Sequence, residues 1–377
     1  SLFKSFALDL KNNAIPLMDS YEKSYVFNFT KSTIKDFSKY NNIIIIGMGG
    51  SILGTKSIYS FLKKKIKKNV IFLDNLDYNL YSEFNKIKNL KNSCLIVVSK
   101  SGNTLETAAN FSIIFSKNIF KKKLIFITEI KDSCLISIAN KYEAEIVEYN
   151  QNIGGRYSVL SEVGMLPAAL MGLDIKKFKN LQKLINNKKY ISNLIKNVAY
   201  IYTLNERGFK SSVIFNYNSN LNDLCLWYQQ LVGESLGKKG KGITPIVSQC
   251  PKDHHSVLQL YLDGPKDKFF TFLRSSEKNN QHKTPGHVFS NNMDYLNNKS
   301  LNMIIKAQST AVMNVFSKRN IPYREIYFNK NDEEELGSIF TFFVLETILL
   351  ARMMNINPFD QPAVEDVKII TKKILSR

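Results

Sequence analysis

The feature that most constrains the fold is an alternation of short apolar segments with longer amphipathic ones in the first part of the chain. The short segments have the length and composition of buried strands, and the segments between them have helical periodicity. The pattern predicts strands over 43–47, 70–73, 94–99, 123–128 and 145–149, and helices over 51–66, 77–90, 104–119 and 133–142. Because strands that alternate with helices form parallel sheets, we expect an α/β fold with a doubly wound parallel sheet.

The second half of the chain repeats this pattern after a lysine- and asparagine-rich connection. The predicted elements are a helix over 161–172, a helical connection over 176–205, strands over 213–216, 257–262, 269–274 and 323–328, helices over 220–236, 300–319 and 334–353, and a helical tail from Pro358. A chain of 377 residues is long enough for two large cores. We expect domains over 1–175 and 176–354, and a C-terminal arm over 355–377.

The formal net charge of +20 is compatible with nucleic-acid binding. The lysines, however, are dispersed at predicted helix ends and turns without interleaved aromatic residues, as in Lys63-Lys64-Lys65. A solvated basic surface that attracts anionic substrates is therefore the favoured interpretation, and no nucleic-acid partner is expected.

Neither a membrane partner nor a metal site is predicted. The N-terminus lacks the layout of a signal peptide, and the apolar run 339–351 is short and interrupted by Glu346, which is typical of a buried helix. The scattered cysteines form no C-x-x-C pair, so zinc or dithiol chemistry is not expected and a reduced, cytoplasmic compartment fits.

Two polar loops directly follow predicted strands. Residues 99–107 read SKSGNTLET, in which Ser99, Ser101 and Thr104 can donate hydrogen bonds at the start of a helix, where free backbone N–H groups bind anions. The loop lacks the Gly-Lys-Ser/Thr ending of a nucleotide P-loop, so a monophosphate is the favoured ligand. An ordinary capped helix would use the same residue types. Residues 47–54, GMGGSILG, form a second such loop but are not a dinucleotide fingerprint.

Acid–base candidates lie in the second half. Glu234 sits among small and apolar residues near a predicted helix end, where a general base or a plain surface glutamate would fit. His254 and His255 form a pair without further metal ligands at suitable spacing, which favours acid–base chemistry or a structural role over a metal site.

Six segments, taken in order, resemble the phosphoglucose isomerase family, and in particular its short bacterial members. They are 47–54, 99–107, 154–158, 230–238, 253–259 and 358–368. The resemblance implies two sugar isomerase (SIS) domains with parallel sheets, a C-terminal helical arm, and reversible isomerisation of glucose 6-phosphate and fructose 6-phosphate in glycolysis and gluconeogenesis, without a metal or redox cofactor.

The resemblance also implies residue roles. Glu234 matches the base that moves a proton between C1 and C2, Arg156 matches the arginine that stabilises the enediolate, and His255 and Lys368 match the ring-opening groups. The residues that match substrate-binding positions, including an acid close to the site, are Ser51, Ser99, Lys100, Ser101, Thr104, Glu106, Gly155, Gln230 and Gln361.

Two alternatives remain at the level of the sequence. Pro362-Ala363 and Ser101-Gly102-Asn103 differ from the larger members of the family, and a looser site would also accept mannose 6-phosphate, as in a dual phosphoglucose/phosphomannose isomerase. A non-catalytic sugar-phosphate-binding SIS protein would not need Glu234. The resemblance further implies a homodimer in which the histidine segment reaches the active site of the neighbouring subunit.

Overall fold

The computed structural model contains two parallel sheets surrounded by helices, and it describes residues 2–12, 14–116, 120, 123–276, 282–288 and 291–376. The strands are β1 Asn42–Ile46, β2 Asn69–Leu73, β3 Ser93–Val98, β4 Leu124–Thr128, β5 Glu145–Glu148, β6 Ser211–Asn216, β7 Thr244–Gln249, β8 Lys268–Ser275 and β9 Tyr323–Phe328. The α-helices are α1 Leu2–Lys11, α2 Lys31–Ser38, α3 Leu53–Leu62, α4 Tyr78–Asn85, α5 Leu105–Phe115, α6 Cys134–Lys141, α7 Glu162–Leu170, α8 Leu181–Ile185, α9 Lys188–Glu206, α10 Asn222–Leu236, α11 Leu258–Asp263, α12 Leu301–Lys318, α13 Glu333–Met353 and α14 Glu365–Leu375.

The first sheet has the strand order β2-β1-β3-β4-β5, and all of its pairs are parallel. Successive residues of β1 enter different cores, with Ile43 and Ile45 in one cluster and Ile44 and Ile46 in another. A strand buried on both faces reads as a continuous apolar run, which is why this sheet was predictable. The predicted end of helix α5 at 117–119 lies outside the described residues.

The second sheet has the order β7-β6-β8-β9, again all parallel, and here one prediction was wrong and one strand was not predicted. The strand predicted over 257–262 is helix α11, because Val257, Leu258, Tyr261 and Leu262 pack together against one core with helical spacing. Strand β7 was missed because it is a partly polar edge strand that contains Pro245, which only an edge strand tolerates.

Both sheets contribute to one continuous hydrophobic core, which also contains most of α13. Helix α13 is long and apolar enough to cross a membrane by length and composition, but 78% of its apolar window is buried inside the protein. It is therefore a core helix, as the sequence predicted, and Phe340 packs edge-to-face on Trp227 of α10 at 4.8 Å between ring centroids. The boundaries of the expected domains at 175 and 354 stay a prediction.

A buried ion pair fixes α13 to the second sheet. Arg324 of β9 donates through both terminal nitrogens to Glu346 of α13, and its Nε donates to Thr271 Oγ1 of β8 at 3.0 Å. The Glu346 side chain is only 2% exposed and that of Arg324 only 11%. Removing one partner of such a pair leaves a buried charge without compensation.

We expect Glu346→Gln to lower the free energy of unfolding by about 3–5 kcal/mol, because the Arg324 guanidinium loses its counter-charge in the core. Urea denaturation followed by circular dichroism measures this loss. Glu83→Gln is the matched control, since Glu83 pairs with Lys86 on the surface of α4, and it should change the stability by less than about 0.5 kcal/mol. A loss no larger than that of the control would contradict the structural role of the buried pair.

Candidate active site

The candidate site forms where the glycine loop after β1 meets the 3-10 turn Gly155–Leu160. At this contact the two backbones are so close that a Cβ on Gly50 would overlap the carbonyl carbon of Gly155. The hydroxyl of Ser158 donates to the carbonyl oxygens of Gly155 at 2.8 Å and Gly50 at 3.3 Å and so fixes both segments. The close approach explains why the sequence has glycine at position 50.

Arg156 is the centre of the site and is only 1% exposed. Its Nε donates to Ser235 Oγ at 2.8 Å, and its Nη1 donates to Glu234 Oε2 at 3.1 Å and to Gln361 Oε1 at 2.9 Å. Its Nη2 donates to the backbone carbonyls of Pro358 and Asp360. Three segments that are far apart in sequence therefore meet at one guanidinium, which brings together Arg156, Glu234 and Gln361, three of the site residues that the resemblance implied.

The carboxylate of Glu234 is held from two sides. Its Oε2 accepts from Arg156, and its Oε1 accepts from Gln230 Nε2 at 2.9 Å, one helical turn earlier in α10. The Glu234 side chain is 36% exposed, so the carboxylate is held in place and is still accessible from solvent. The Oε1 atom of Gln230 is buried and has no hydrogen-bond partner among the described residues, which leaves an acceptor for a ligand hydroxyl.

The C-terminal segment before α14 lies across Arg156 and is tied to α10. Lys238 pairs with Asp360 at 2.8 Å and also donates to the carbonyl of Asn357. The hydrogen bond and charge of Lys238 hold the pKa of the Asp360 carboxyl below its usual range. The Tyr157 hydroxyl donates to the carbonyl of Pro358 at 2.8 Å, and burial raises the pKa of this phenol, which therefore remains a donor.

The predicted phosphate loop after β3 brings its hydroxyls together. Ser99 Oγ and Thr104 Oγ1 are 2.9 Å apart, and Ser101 Oγ accepts from the backbone N–H of Asn103 at 3.2 Å. Thr104 occupies the N-cap position of α5, but its side chain accepts no hydrogen bond from the first turn of that helix. The first-turn N–H groups are therefore not capped by Thr104, unlike in the ordinary capped helix, and they suit an anion.

The start of α6 braces this loop. Gly102 has a φ of +68°, and a Cβ on it would overlap Ser133 Oγ. Asn103 Oδ1 accepts from the backbone N–H of Cys134 at 2.9 Å, and Leu135 N–H donates to the carbonyl of Gly102 at 3.1 Å. The left-handed turn at Gly102 is therefore fixed by the start of a neighbouring helix.

Three further predicted substrate-binding residues lie at the edges of the site. Lys100 does not direct its ammonium to the loop hydroxyls but donates to the carbonyls of Gln151 at 2.8 Å and Ile153 at 3.1 Å, and burial lowers its pKa. It thus ties the phosphate loop to the segment that leads into Arg156. Ser51 and Glu106 are half-buried at the starts of the helical segments that follow the two loops.

The two predicted ring-opening groups are not joined to Arg156 within one chain. His255 is exposed in the 3-10 turn Lys252–His255 and makes no hydrogen bond within the described residues, whereas His254 bonds Tyr217 Oη at 2.7 Å. Lys368 lies on the exposed helix α14 and pairs with Glu365 at 2.7 Å. The roles of His255 and Lys368 stay predictions.

Sequence reasoning missed the groups that hold the site together. Ser235, Tyr157 and Lys238 lie inside the motifs that were recognised, next to the residues that were singled out, and their hydrogen-bonding side chains were the available signal. The backbone carbonyls of Pro358 and Asp360 gave no side-chain signal at all. Among the described residues, no group of three or more His, Cys, Asp or Glu is placed to hold a metal ion.

Comparison with known proteins agrees with this geometry. The sequence model of the phosphoglucose isomerase family matches residues 27–377, almost the whole chain. The chain belongs to the phosphoglucose isomerase family. A glucose-6-phosphate isomerase of Methanocaldococcus jannaschii is 33% identical over 365 residues, which cover 94% of this chain and 89% of that protein.

Two solved structures share the fold. A hypothetical protein from Thermus thermophilus superposes with a TM-score of 0.82 at 23% identity, covering 98% of this chain and 90% of the other. A glucose-6-phosphate isomerase from Chlamydia trachomatis superposes with a TM-score of 0.74 at 21% identity, covering 92% and 73% of the two chains. The expected α/β architecture with two SIS-type parallel sheets is therefore confirmed.

We expect Gly50→Ala to abolish most of the isomerase activity of this family member and to lower its unfolding temperature, because the new methyl group pushes the Gly155–Arg156 backbone away. Coupled assays and thermal unfolding measure the two effects. Gly233→Ala, whose Cβ would find only Pro245 Cγ at 4.0 Å, is the control and should be neutral or slightly stabilising in helix α10. Equal behaviour of the two variants would show that the contact with Gly155 is unimportant.

Proposed function

We propose that Glu234, Arg156 and the loop from Ser99 to Thr104 carry out the reversible isomerisation of glucose 6-phosphate and fructose 6-phosphate in this chain. The observation that carries the proposal is the placement of Glu234. Its carboxylate lies beside a buried guanidinium and a glutamine amide, and it remains partly exposed. A base next to a fixed cation is what abstraction of a proton from a carbon acid requires.

In the proposed reaction Glu234 takes the proton from C2 of the open-chain aldose and returns it to C1. The enediolate that forms between the two transfers carries negative charge on oxygen, and Arg156 supplies the nearest buried positive charge. The side-chain amide of Gln361 hydrogen-bonds the Arg156 guanidinium, and that of Gln230 hydrogen-bonds the Glu234 carboxylate. The unpartnered Oε1 of Gln230 would accept a hydrogen bond from a sugar hydroxyl.

The phosphate is assigned to the loop after β3. The paired hydroxyls of Ser99 and Thr104 and the uncapped first turn of α5 provide hydrogen-bond donors at one point. Binding energy at this remote group orients the sugar toward Glu234, so a free sugar should be a very poor substrate.

Four cysteines that are all free agree with the proposed reduced, cytoplasmic compartment.

We expect Glu234→Gln to lower kcat by at least about 100-fold, the scale of a general base, because the amide cannot accept the proton. Binding of fructose 6-phosphate should be largely kept, and exchange of substrate hydrogen with deuterated solvent should disappear together with turnover. Coupled assays that start from glucose 6-phosphate and from fructose 6-phosphate measure the loss of turnover in both directions. A parallel assay with mannose 6-phosphate tests dual specificity.

Glu206→Gln is the control for this experiment, since Glu206 is an exposed glutamate at the end of α9. This variant should retain wild-type turnover. Near-normal turnover of Glu234→Gln would rule out Glu234 as the base, whereas loss of turnover in both variants would point to a general effect on folding.

We further infer that the protein is a homodimer with shared active sites. Helix α14 has no buried residue, and its apolar side chains Val367, Ile370 and Ile374 are 66%, 56% and 62% exposed. Their spacing of three and four residues puts them on one face of the helix, which needs a covering surface. The exposed, unbonded position of His255 in one chain fits a role in the site of a second copy.

Mixing inactive Glu234→Gln chains with His255→Ala chains should restore activity if each site combines Glu234 of one chain with His255 of the other. At full exchange we expect about a quarter of wild-type activity, because half of the dimers are mixed and each holds one intact site of two. His255→Ala alone should impair the cyclic substrate more than the open-chain form. No recovery despite demonstrated subunit exchange would contradict the shared site while leaving the isomerase assignment intact.

A further inference from the structure

A cavity of about 410 Å³ lies at the carboxyl edge of the second sheet, apart from the Arg156 site. The ends of β6, β8 and β9 and the first turns of α12 line it. Its lining includes two cationic side chains, Arg274 and Lys306, and no Asp or Glu among the described residues. Five serines also line it: Ser219, Ser275, Ser276, Ser300 and Ser309. A concave site of this volume is large enough for a small organic anion.

The cavity lies at the place in the second sheet that corresponds to the phosphate loop in the first. In the first sheet β3 pairs with β1 on the side opposite the edge strand β2. In the second sheet β8 pairs with β6 on the side opposite the edge strand β7. Ser99 lies two residues after Val97, the last residue of β3 that pairs with β1, and Ser275 lies two residues after Leu273, the last residue of β8 that pairs with β6. Ligands of open α/β sheets bind at the carboxyl ends of such strands.

The charges around the cavity favour an anion. Arg274 Nη1 donates to Glu325 Oε1 at 2.7 Å and Nη2 donates to Thr310 Oγ1 at 3.4 Å, which leaves further N–H donors of the guanidinium available. Lys306 also lines the cavity, is exposed, and forms no ion pair with any described residue. The lining residues therefore carry two positive charges, of which the one on Arg274 is paired with Glu325.

We propose that this cavity is a second, non-catalytic binding site that takes a small phosphomonoester through Arg274 and Lys306. The N–H donors of arginine and lysine suit the three terminal oxygens of a phosphate group. The volume exceeds what inorganic phosphate needs, and Asn218 and Tyr217 add polar groups and a ring for the esterified polyol. The proposal goes beyond the isomerase function and does not depend on it.

Equilibrium dialysis of the full chain with labelled glycerol 3-phosphate, and separately with inorganic phosphate, tests the proposal. The wild-type chain should bind two equivalents of each probe, with glycerol 3-phosphate bound more tightly at the second site. The double variant Ser101→Ala/Thr104→Ala should lose the first equivalent only. Lys306→Gln should weaken binding of the second equivalent by about tenfold or more, with isomerase turnover unchanged.

The matched control is Lys318→Gln, an exposed lysine at the far end of α12 that does not line the cavity, and it should bind as the wild type does. A single equivalent that disappears in the Ser101→Ala/Thr104→Ala chain would overturn the second site. A second equivalent of bound probe that Lys306→Gln leaves intact would also overturn it. Equal affinity for the two probes would overturn the assignment to an ester and indicate free phosphate as the ligand.

Discussion

The interaction on which the rest of the site depends is the burial of the Arg156 guanidinium. A buried charge is costly unless it is paired and fully hydrogen-bonded, and Arg156 meets that requirement with Glu234, Ser235, Gln361 and two backbone carbonyls. Its partners come from α10 and from the segment before α14, so the cation can be satisfied only when these parts are held in place. The continuous core beneath both sheets, with α13 at its centre, provides that rigidity.

Close backbone contacts then determine how accurately the groups are placed. The contact between Gly50 and Gly155 brings the loop after β1 against the turn that carries Arg156. Lys100 connects the loop after β3 to the same turn through the carbonyls of Gln151 and Ile153. The loop from Ser99 to Thr104 and the Arg156 guanidinium are thus positioned by one set of neighbouring segments. In the proposed reaction, a substrate bound at one end is presented to Glu234 at the other.

The sequence predicted those parts that leave a pattern in side chains. Strands β1 to β4 of the first sheet are largely apolar runs and could be predicted from hydropathy. Arg156, Glu234 and Gln361 were singled out because their motifs resemble those of a known family, and their roles stay predictions. Strand β7 and helix α11 were misread because an edge strand is partly polar and a short apolar segment fits either period. Two contacts could not be predicted: the one between Arg156 and the carbonyl of Pro358, and the one between the Lys100 ammonium and the carbonyl of Gln151. Both depend on backbone positions that only the folded chain defines.

In the proposed reaction the same network lets Glu234 be both fixed and reactive. Its Oε1 accepts from Gln230 and its Oε2 accepts from Arg156, so both carboxylate oxygens are oriented. A substrate oxygen that accepts from Arg156 Nη1 would free Oε2 at the position where the carbon acid lies. The guanidinium would then exchange one negative partner for another as charge develops on the enediolate, and it would remain paired throughout. Substrate binding would therefore free the proposed base for reaction without leaving an unpaired buried cation.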